Sequence, residues 1–440
     1  MRIAGVLLVL VVGASRMARA DVLTLREAEQ RAATAHPTVA LERWGAAAAD
    51  ARVIEARAAL LPQVALSANY HFATANRTIR IGTSAALAAL RPPPNASPWD
   101  YLTAGLTATQ LLTDFGQSTE AWRATRLLAD SAALDARAAR QAVLLDVRLA
   151  FFAARARREL VAVAREDVEN QRRHLVEVEG FVNVRTRPPI DLVQARASVG
   201  AADLRLIAAE NDYALARADL ERAMGGPSTA DYDVASDELP PVDGERAPAD
   251  ALAAEAAAGR PDLASARRQI EAEHRALASA RGAYAPALHV AVGATDAGPM
   301  FYPGPFEARN LRWNYSAALV LTWPLFEGRR TVGRVREAEA MVGQAQARSA
   351  LVDLGIRVEV ERARRGVAAA HAAIAVAETT LENARQRLRL AEGRYQAGVA
   401  AALEVSDAQL MYVTSAADQV RARYDLSTAR AQLLHALGRD

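Results

Sequence analysis

Two carboxylates, Glu404 and Asp407, stand three residues apart, a spacing that puts them on one face of a helix. They follow Gly398, the sharpest turn signal nearby, so they fall just inside a helix start. A solvated helix start is one reading, since carboxylates there suit the helix dipole. Repeated around an axis, the same pair would make an acidic ring, which in a pore admits cations and resists anions. Other chemistry is thin. The seven histidines (His36, His71, His174, His274, His289, His371 and His435) show no H-x-x-x-H or carboxylate-rich ligand spacing, so neither metal nor cofactor is expected. Cysteine is absent, which excludes disulfides, thiol catalysis and thiolate metal sites; no lipid anchor on an N-terminal cysteine is expected either. Gly225-Gly226-Pro227 reads as a helix stop rather than a phosphate loop. No nucleophile and base stand together, so the chain is not expected to be an enzyme.

The elements that must position the carboxylates occur twice. Pro37 and Pro62 recur as Pro261 and Pro286 at one shared offset, and Asp114 and Asp191 recur as Glu327 and Glu404 at another. A repeat this long is no solenoid unit and reads as a duplicated half-structure. Residues 1–20, a charged start, a short apolar run and Ala18-Arg19-Ala20, form a secretory signal peptide. The first repeat is then 21–226, the linker 227–248 and the second repeat 249–440.

Thr24-Leu-Arg-Glu27 has the form of a capping box and opens the first helix, which breaks near His36-Pro37 and resumes to about Leu60. Strands of period two follow at 63–72 and 101–111, joined by a loop over 73–99. From Gln117 to about Glu179 there is neither Pro nor Gly, and Leu145, Leu149, Phe152, Ala156, Leu160 and Val163 recur at helical steps. That predicts a helix of about sixty residues, roughly 90–95 Å at 1.5 Å per residue. Pro188-Pro189 breaks it, and a helix runs back from Asp191 to Met224. The second half repeats the plan with a helix over 261–281, strands at 287–296 and 313–323, and a loop over 297–309. Leu381, Ala384, Leu388, Ala391 and Tyr395 then form a helical stripe, Gly398 turns the chain, and a last helix covers Leu403–Leu437.

Charge and composition limit the setting. The net charge is +2, all 53 basic residues are arginine, and no strong field for nucleic acid exists. Abundant alanine and 5% aromatics suit thin helical layers packed through small residues. No segment beyond the signal peptide is apolar enough for a transmembrane helix, so membrane crossing requires strands. The four strands carry an apolar face suited to lipid and a polar one, and Trp99, Trp313 and Trp323 stand where an interfacial girdle would be. Four strands cannot close a barrel alone, and open edges in lipid are forbidden, so closure must occur between subunits. The alternative is a soluble pair of hairpins.

The whole mature chain resembles the TolC-type outer-membrane efflux protein family. The resemblance rests on Leu23-Thr-Leu-Arg-Glu27-Ala28 with His36-Pro37, on Ala56-Arg57-Ala-Ala-Leu-Leu-Pro62, and on Arg260-Pro-Asp-Leu263. Trp323-Pro-Leu-Phe-Glu-Gly-Arg329 and Arg394-Tyr395-Gln-Ala-Gly398 with Glu404-Val405 complete it. It implies a mostly α fold with a small membrane β part. Three protomers would share one twelve-stranded barrel in the outer membrane, continuous with a periplasmic tunnel of long helices. The tip would meet a periplasmic adaptor coupled to an inner-membrane pump, and the cargo would be small molecules. A type I protein secretion duct is the alternative within transport, and a soluble periplasmic coiled-coil scaffold the alternative outside it.

The same resemblance assigns positions. Tyr395, Gly398, Glu404, Val405 and Asp407 match the family's second tip turn. Phe181, Val184, Asp191 and Leu192 match the first, with an extra residue and with Arg185 where glycine is usual. Glu404 and Asp407 would line the periplasmic constriction, six carboxylates in a trimer. Asp191 and Tyr395 would link neighbouring helix pairs and hold the tip shut. Phe181, Val184, Arg185, Gly398 and Val405 would meet the adaptor. The family's accompanying arginine in the second turn is replaced by Ala400 or Ala401, which leaves Arg185 or Arg187 to substitute from the first.

Overall fold

The computed structural model describes residues 21–74, 98–227, 232–298 and 313–439. The signal peptide and most of the two strand-connecting loops lie outside the described residues. The elements run β1 (Asp21–Leu23), α1 (Leu25–Ala35), α2 (Pro37–Ala58), β2 (Gln63–Thr74), β3 (Pro98–Thr113), α3 (Gln117–Asn183) and α4 (Pro189–Met224). They continue β4 (Tyr232–Val234), α5 (Ala249–Gly259), α6 (Pro261–Gly282), β5 (Ala287–Gly298), β6 (Trp313–Thr322), α7 (Arg330–Gln396) and α8 (Ala402–Ala436). α3 and α7 each have 67 residues.

Local chemistry sets the boundaries. Thr24 Oγ1 accepts the Glu27 N–H at 3.3 Å, and Glu27 Oε2 accepts the Thr24 N–H at 3.1 Å, so the predicted capping box is formed. Pro37, Pro189 and Pro261 each occupy the first helical position, where the missing N–H costs nothing. Buried Asp114 caps α3 by accepting from the Gly116 N–H at 3.2 Å and the Ser118 N–H at 2.7 Å.

Contacts divide the chain into two compact units, and each draws on both sequence halves. One comprises Trp44–Leu134 and Asp262–Val352 and holds the four-stranded sheet. Its order is β2-β3-β5-β6, with every neighbouring pair antiparallel. The register aligns Leu66, Leu106, Ala294 and Tyr315 across all four strands on one face. Ala65, Thr107, Gly293 and Ser316 align on the other. The apolar face is bare: Leu66 is 79% and Tyr315 81% exposed, with Val64, Leu319 and Leu321 also exposed. β2, β3 and β5 outrun their expected limits, and β6 ends at Thr322, one residue short of its own. β3 begins at Pro98, so Trp99 lies within the strand rather than before it, and residues 73–74 and 297–298 are strand rather than loop.

The other unit comprises Met1–Arg43, Asp135–Pro261 and Asp353–Asp440. One of its cores joins Leu23, Ala28, Val147, Phe151, Phe152, Leu220, Met224 and Val234. The linker between the repeats is not irregular throughout. Its β4 pairs in parallel with β1, Leu23 opposite Val234, which sequence reading did not anticipate. Arginines hold the linker by its carbonyls: Arg217 donates to Tyr232 O at 3.0 Å, Arg155 to Asp237 O at 2.6 Å and Arg430 to Leu239 O at 3.0 Å. The α3 stripe marks the helix it predicts but not its deepest line. Phe152 is buried, but Leu145, Leu149, Ala156, Leu160 and Val163 are half-buried, and the deepest line is Val143, Val147, Phe151, Ala154, Val161 and Val168. A helix packed on more than one side carries two apolar lines, and periodicity alone does not rank them.

Candidate functional site

Two short turns connect α3 to α4 and α7 to α8, and both close in the same way. After α3, the Arg185 N–H donates to Val182 O and the Thr186 N–H to Phe181 O, each at 3.0 Å. After α7, the Gly398 N–H donates to Tyr395 O and the Val399 N–H to Arg394 O, each at 3.0 Å. This pair of bonds is the Schellman closure, which needs a left-handed residue. Gly398 supplies φ +81° and Arg185 φ +59°. For a residue with a Cβ, that conformation costs roughly 1 kcal/mol or more.

Beneath the turns lies a core made by the predicted α7 stripe. Leu381, Ala384, Leu388, Ala391 and Tyr395 pack with Val178, Ala195, Val405, Ala408 and Tyr412. Tyr395 is 1% exposed. Its ring meets Phe181 edge-on at 6.1 Å and His174 at 5.4 Å between centroids. Burying a ring of this size stabilises the cluster by about 2 kcal/mol. The phenol is buried but not orphaned: it donates to Asp191 Oδ2 at 3.3 Å. Asp191 lies in the first turn of α4, where its charge also suits the helix dipole. Burial pushes the Tyr395 phenol above its ordinary pKa, the Asp191 charge adds to this, and Arg187 opposes it.

Arg187, rather than Arg185, binds the second turn. Its guanidinium lies 4.3 Å from the centroid of the Tyr395 ring. One of its nitrogens donates to Ala400 O at 3.2 Å and another to Tyr395 O. The first turn is thus stapled to the second by hydrogen bonds from a charged donor, worth about 1.5–3 kcal/mol each, and by a cation–π contact.

The other expected positions are distributed around this core. Phe181 is half-buried against Tyr395, and Val184 and Arg185 are exposed. Val405, expected at a contact surface, is instead buried among the core residues and supports the turn from beneath. Glu404 lies 3.4 Å from Arg394 across the second turn, a pairing that sequence reading did not find. Asp407 is exposed one helical step further on. His174, read as structural or exposed, is largely buried beside Tyr395. Burial holds its pKa below the ordinary histidine value, opposed by Glu177 and Asp191.

Further along the same helices, Asp167 is 1% exposed. Arg205 reaches its Oδ2 at 2.7 Å and Gln409 its Oδ1 at 3.2 Å, joining α3, α4 and α8. Tyr412 donates to Glu166 Oε1 at 2.9 Å. Among the described residues no group of His, Asp and Glu is arranged to hold a metal ion.

The family model described as outer membrane efflux protein matches residues 28–226 and 252–439. Solved structures share the fold at low identity. The outer membrane protein VceC from Vibrio cholerae is 20% identical with a TM-score of 0.78, over 94% of this chain and 96% of that one. The Campylobacter jejuni CmeC outer membrane channel is 16% identical with a TM-score of 0.79, over 94% and 85%. The Neisseria gonorrhoeae MtrE outer membrane channel is 17% identical with a TM-score of 0.75, over 94% and 89%. No curated relative matches the chain by sequence.

Proposed function

The chain belongs to the outer membrane efflux protein family, and on that footing we propose that it is the exit duct of a tripartite efflux system. It passes small molecules from a periplasmic adaptor and an inner-membrane pump through the outer membrane. The observation that carries this reading is the bare, register-matched apolar face of the sheet, from Leu66 to Tyr315. Such a face suits lipid. A soluble periplasmic scaffold would leave it in water.

The sheet edges then decide the assembly. Among the described residues β2 and β6 each keep one unpaired edge, which lipid does not tolerate. They run in opposite directions, so β6 of one protomer can pair with β2 of the next without breaking the antiparallel order. Three copies contribute twelve strands, above the eight at which outer-membrane barrels begin. Among the described residues no helix is long and apolar enough to cross a membrane. At 67 residues, about 100 Å, α3 and α7 far exceed the bilayer's hydrocarbon thickness and extend into the periplasm.

In this reading the two turns form the periplasmic end. Arg187, Tyr395 and Asp191 hold the turns of one protomer together, and Glu404 and Asp407 from three protomers line the constriction. The adaptor meets the turns, and the pump supplies the energy. Cross-linked affinity purification of the tagged mature protein from native envelopes tests this. The expected result is a detergent-dependent outer-membrane protein recovered with an adaptor and a pump. Recovery from the soluble periplasm with neither partner would overturn it.

A further inference from the structure

The two turns share their hydrogen bonds but not their left-handed residue, and nothing among the described residues requires the difference. Arg185 and Gly398 hold corresponding positions, at φ +59° and +81°. A Cβ added to Gly398 would meet nothing within 4 Å, so the position is sterically open. Arginine at the equivalent place is therefore a matter of backbone cost against side-chain use. Glycine would remove that cost.

Among the described residues nothing engages the Arg185 side chain. Arg185 is exposed, and among the described residues no carboxylate pairs with it. Its neighbour Arg187 is spent on Tyr395 and Ala400. Backbone strain kept at an exposed site points to work done on something outside the chain. The surroundings say what kind of thing. Val184 beside Arg185 and Val399 on the second turn are each 68% exposed, and Ile190 and Leu403 are exposed as well. Glu404, just after the second turn, is already paired with Arg394. Among the described residues, the turns therefore present a small apolar patch with one cation, Arg185, that no carboxylate pairs.

We propose that Arg185 selects a partner whose docking tip carries an acidic side chain beside apolar ones. That partner is the periplasmic adaptor, and the inference rests on the reading of the turns as the adaptor-facing end. Gly398 admits a close backbone approach at one turn, while Arg185 reads charge at the other. A charge at the rim of such a contact sets partner choice and salt dependence more than raw affinity.

The test places a photo-cross-linking residue at Val184 and, separately, at Val399 in the full-length protein in native envelopes. Captured peptides are identified by mass spectrometry, in wild type and in Arg185→Glu, Arg185→Lys and Arg185→Gly backgrounds. The expected result is one adaptor captured from both positions, with an Asp or Glu in the peptide joined to position 184. Arg185→Glu lowers that yield about fivefold and Arg185→Lys keeps it. Arg185→Gly relieves the backbone yet still lowers it, which a merely structural residue would not do. Reversing the adaptor's acidic residue restores capture by Arg185→Glu. The proposal is overturned if Arg185→Glu captures as well as wild type, if the captured peptide has no acidic residue, or if it comes from a second copy of this chain. Capture from Val399 with indifference to Arg185 would leave the adaptor-docking reading standing. Capture from neither turn would overturn both.

Discussion

Arg187 and Tyr395 come from turns more than two hundred positions apart, yet the guanidinium of one covers the ring of the other at 4.3 Å. The same arginine takes the carbonyls of Tyr395 and Ala400. One side chain thereby restrains the end of α7, the start of α8 and the break before α4. Arg187→Ala removes these contacts, at a cost of about 2 kcal/mol. Amide hydrogen exchange in peptides covering residues 394–404 should accelerate by roughly 30-fold, with little change in the core around Phe151. Unchanged exchange at the second turn would mean that Arg187 restrains nothing.

The two left-handed glycines that end α4 and α7 should respond differently to alanine. At Gly225, φ is +79° and a Cβ would lie 2.8 Å from His36 Cα and 2.9 Å from Pro37 Cδ. At Gly398, φ is +81° and the space is open. Gly398→Ala should therefore cost only the conformational term, about 1 kcal/mol. Gly225→Ala adds an overpacking term and should cost about 3 kcal/mol. Thermal unfolding of the two variants in detergent checks the order.

His174 should make the core beneath the two turns sensitive to acid. Burial holds its pKa below the ordinary value of 6.5, against the opposing pull of Glu177 and Asp191. The unfolded tip then binds a proton more readily than the folded one. Its contribution to stability is present above the ordinary value and is lost as pH falls below it. Glu392 works the other way: burial first, and Glu177 second, raise its pKa, so acid relieves it. The informative quantity is the difference between wild type and His174→Gln. Between pH 7.5 and 5.5 the wild type should lose more protection at residues 391–400 than the variant does. Equal losses would take His174 out of the account.

The carboxylates of α8 should not contribute equally to ion selectivity. Glu404 is partly neutralised by Arg394 at 3.4 Å, whereas Asp407 is exposed with no ion-pair partner among the described residues. In planar bilayers under a salt gradient, Asp407→Asn should lower cation preference more than Glu404→Gln, and the double variant most. Reversal potentials unchanged in all three would move these residues out of the constriction.

Much of this was legible in the sequence because single residues fix local geometry. Pro37 and Pro189 open new helices at the expected breaks, Pro261 opens the helix expected to start there, and Gly225 and Gly398 close helices. Strand alternation assigned the faces before the register was known, and the stripe from Leu381 to Tyr395 is the core it was expected to be. What stayed hidden depends on distance in space. β1 and β4 are three residues each, too short for a period to appear, and exist because they pair with each other. Two apolar lines on α3 compete, and only packing ranks them. The arginine left to substitute for the missing one could have been Arg185 or Arg187. Backbone handedness at Arg185 sends its side chain to solvent use and leaves the staple to Arg187.

The central claim is that the open edges of the sheet close between copies of this chain. Because the chain contains no cysteine, paired cysteines report that contact without background. A cysteine at Ala68 on the β2 edge would be combined, one at a time, with cysteines at residues 315–319 on the β6 edge. Facing Cα atoms in adjacent antiparallel strands fall within disulfide reach. After oxidation in native outer membranes, non-reducing gels should show dimer and trimer bands for one narrow set of registers and for no single-cysteine control. Monomer alone at every register, from protein that is folded and in the membrane fraction, would contradict closure between protomers and with it the channel.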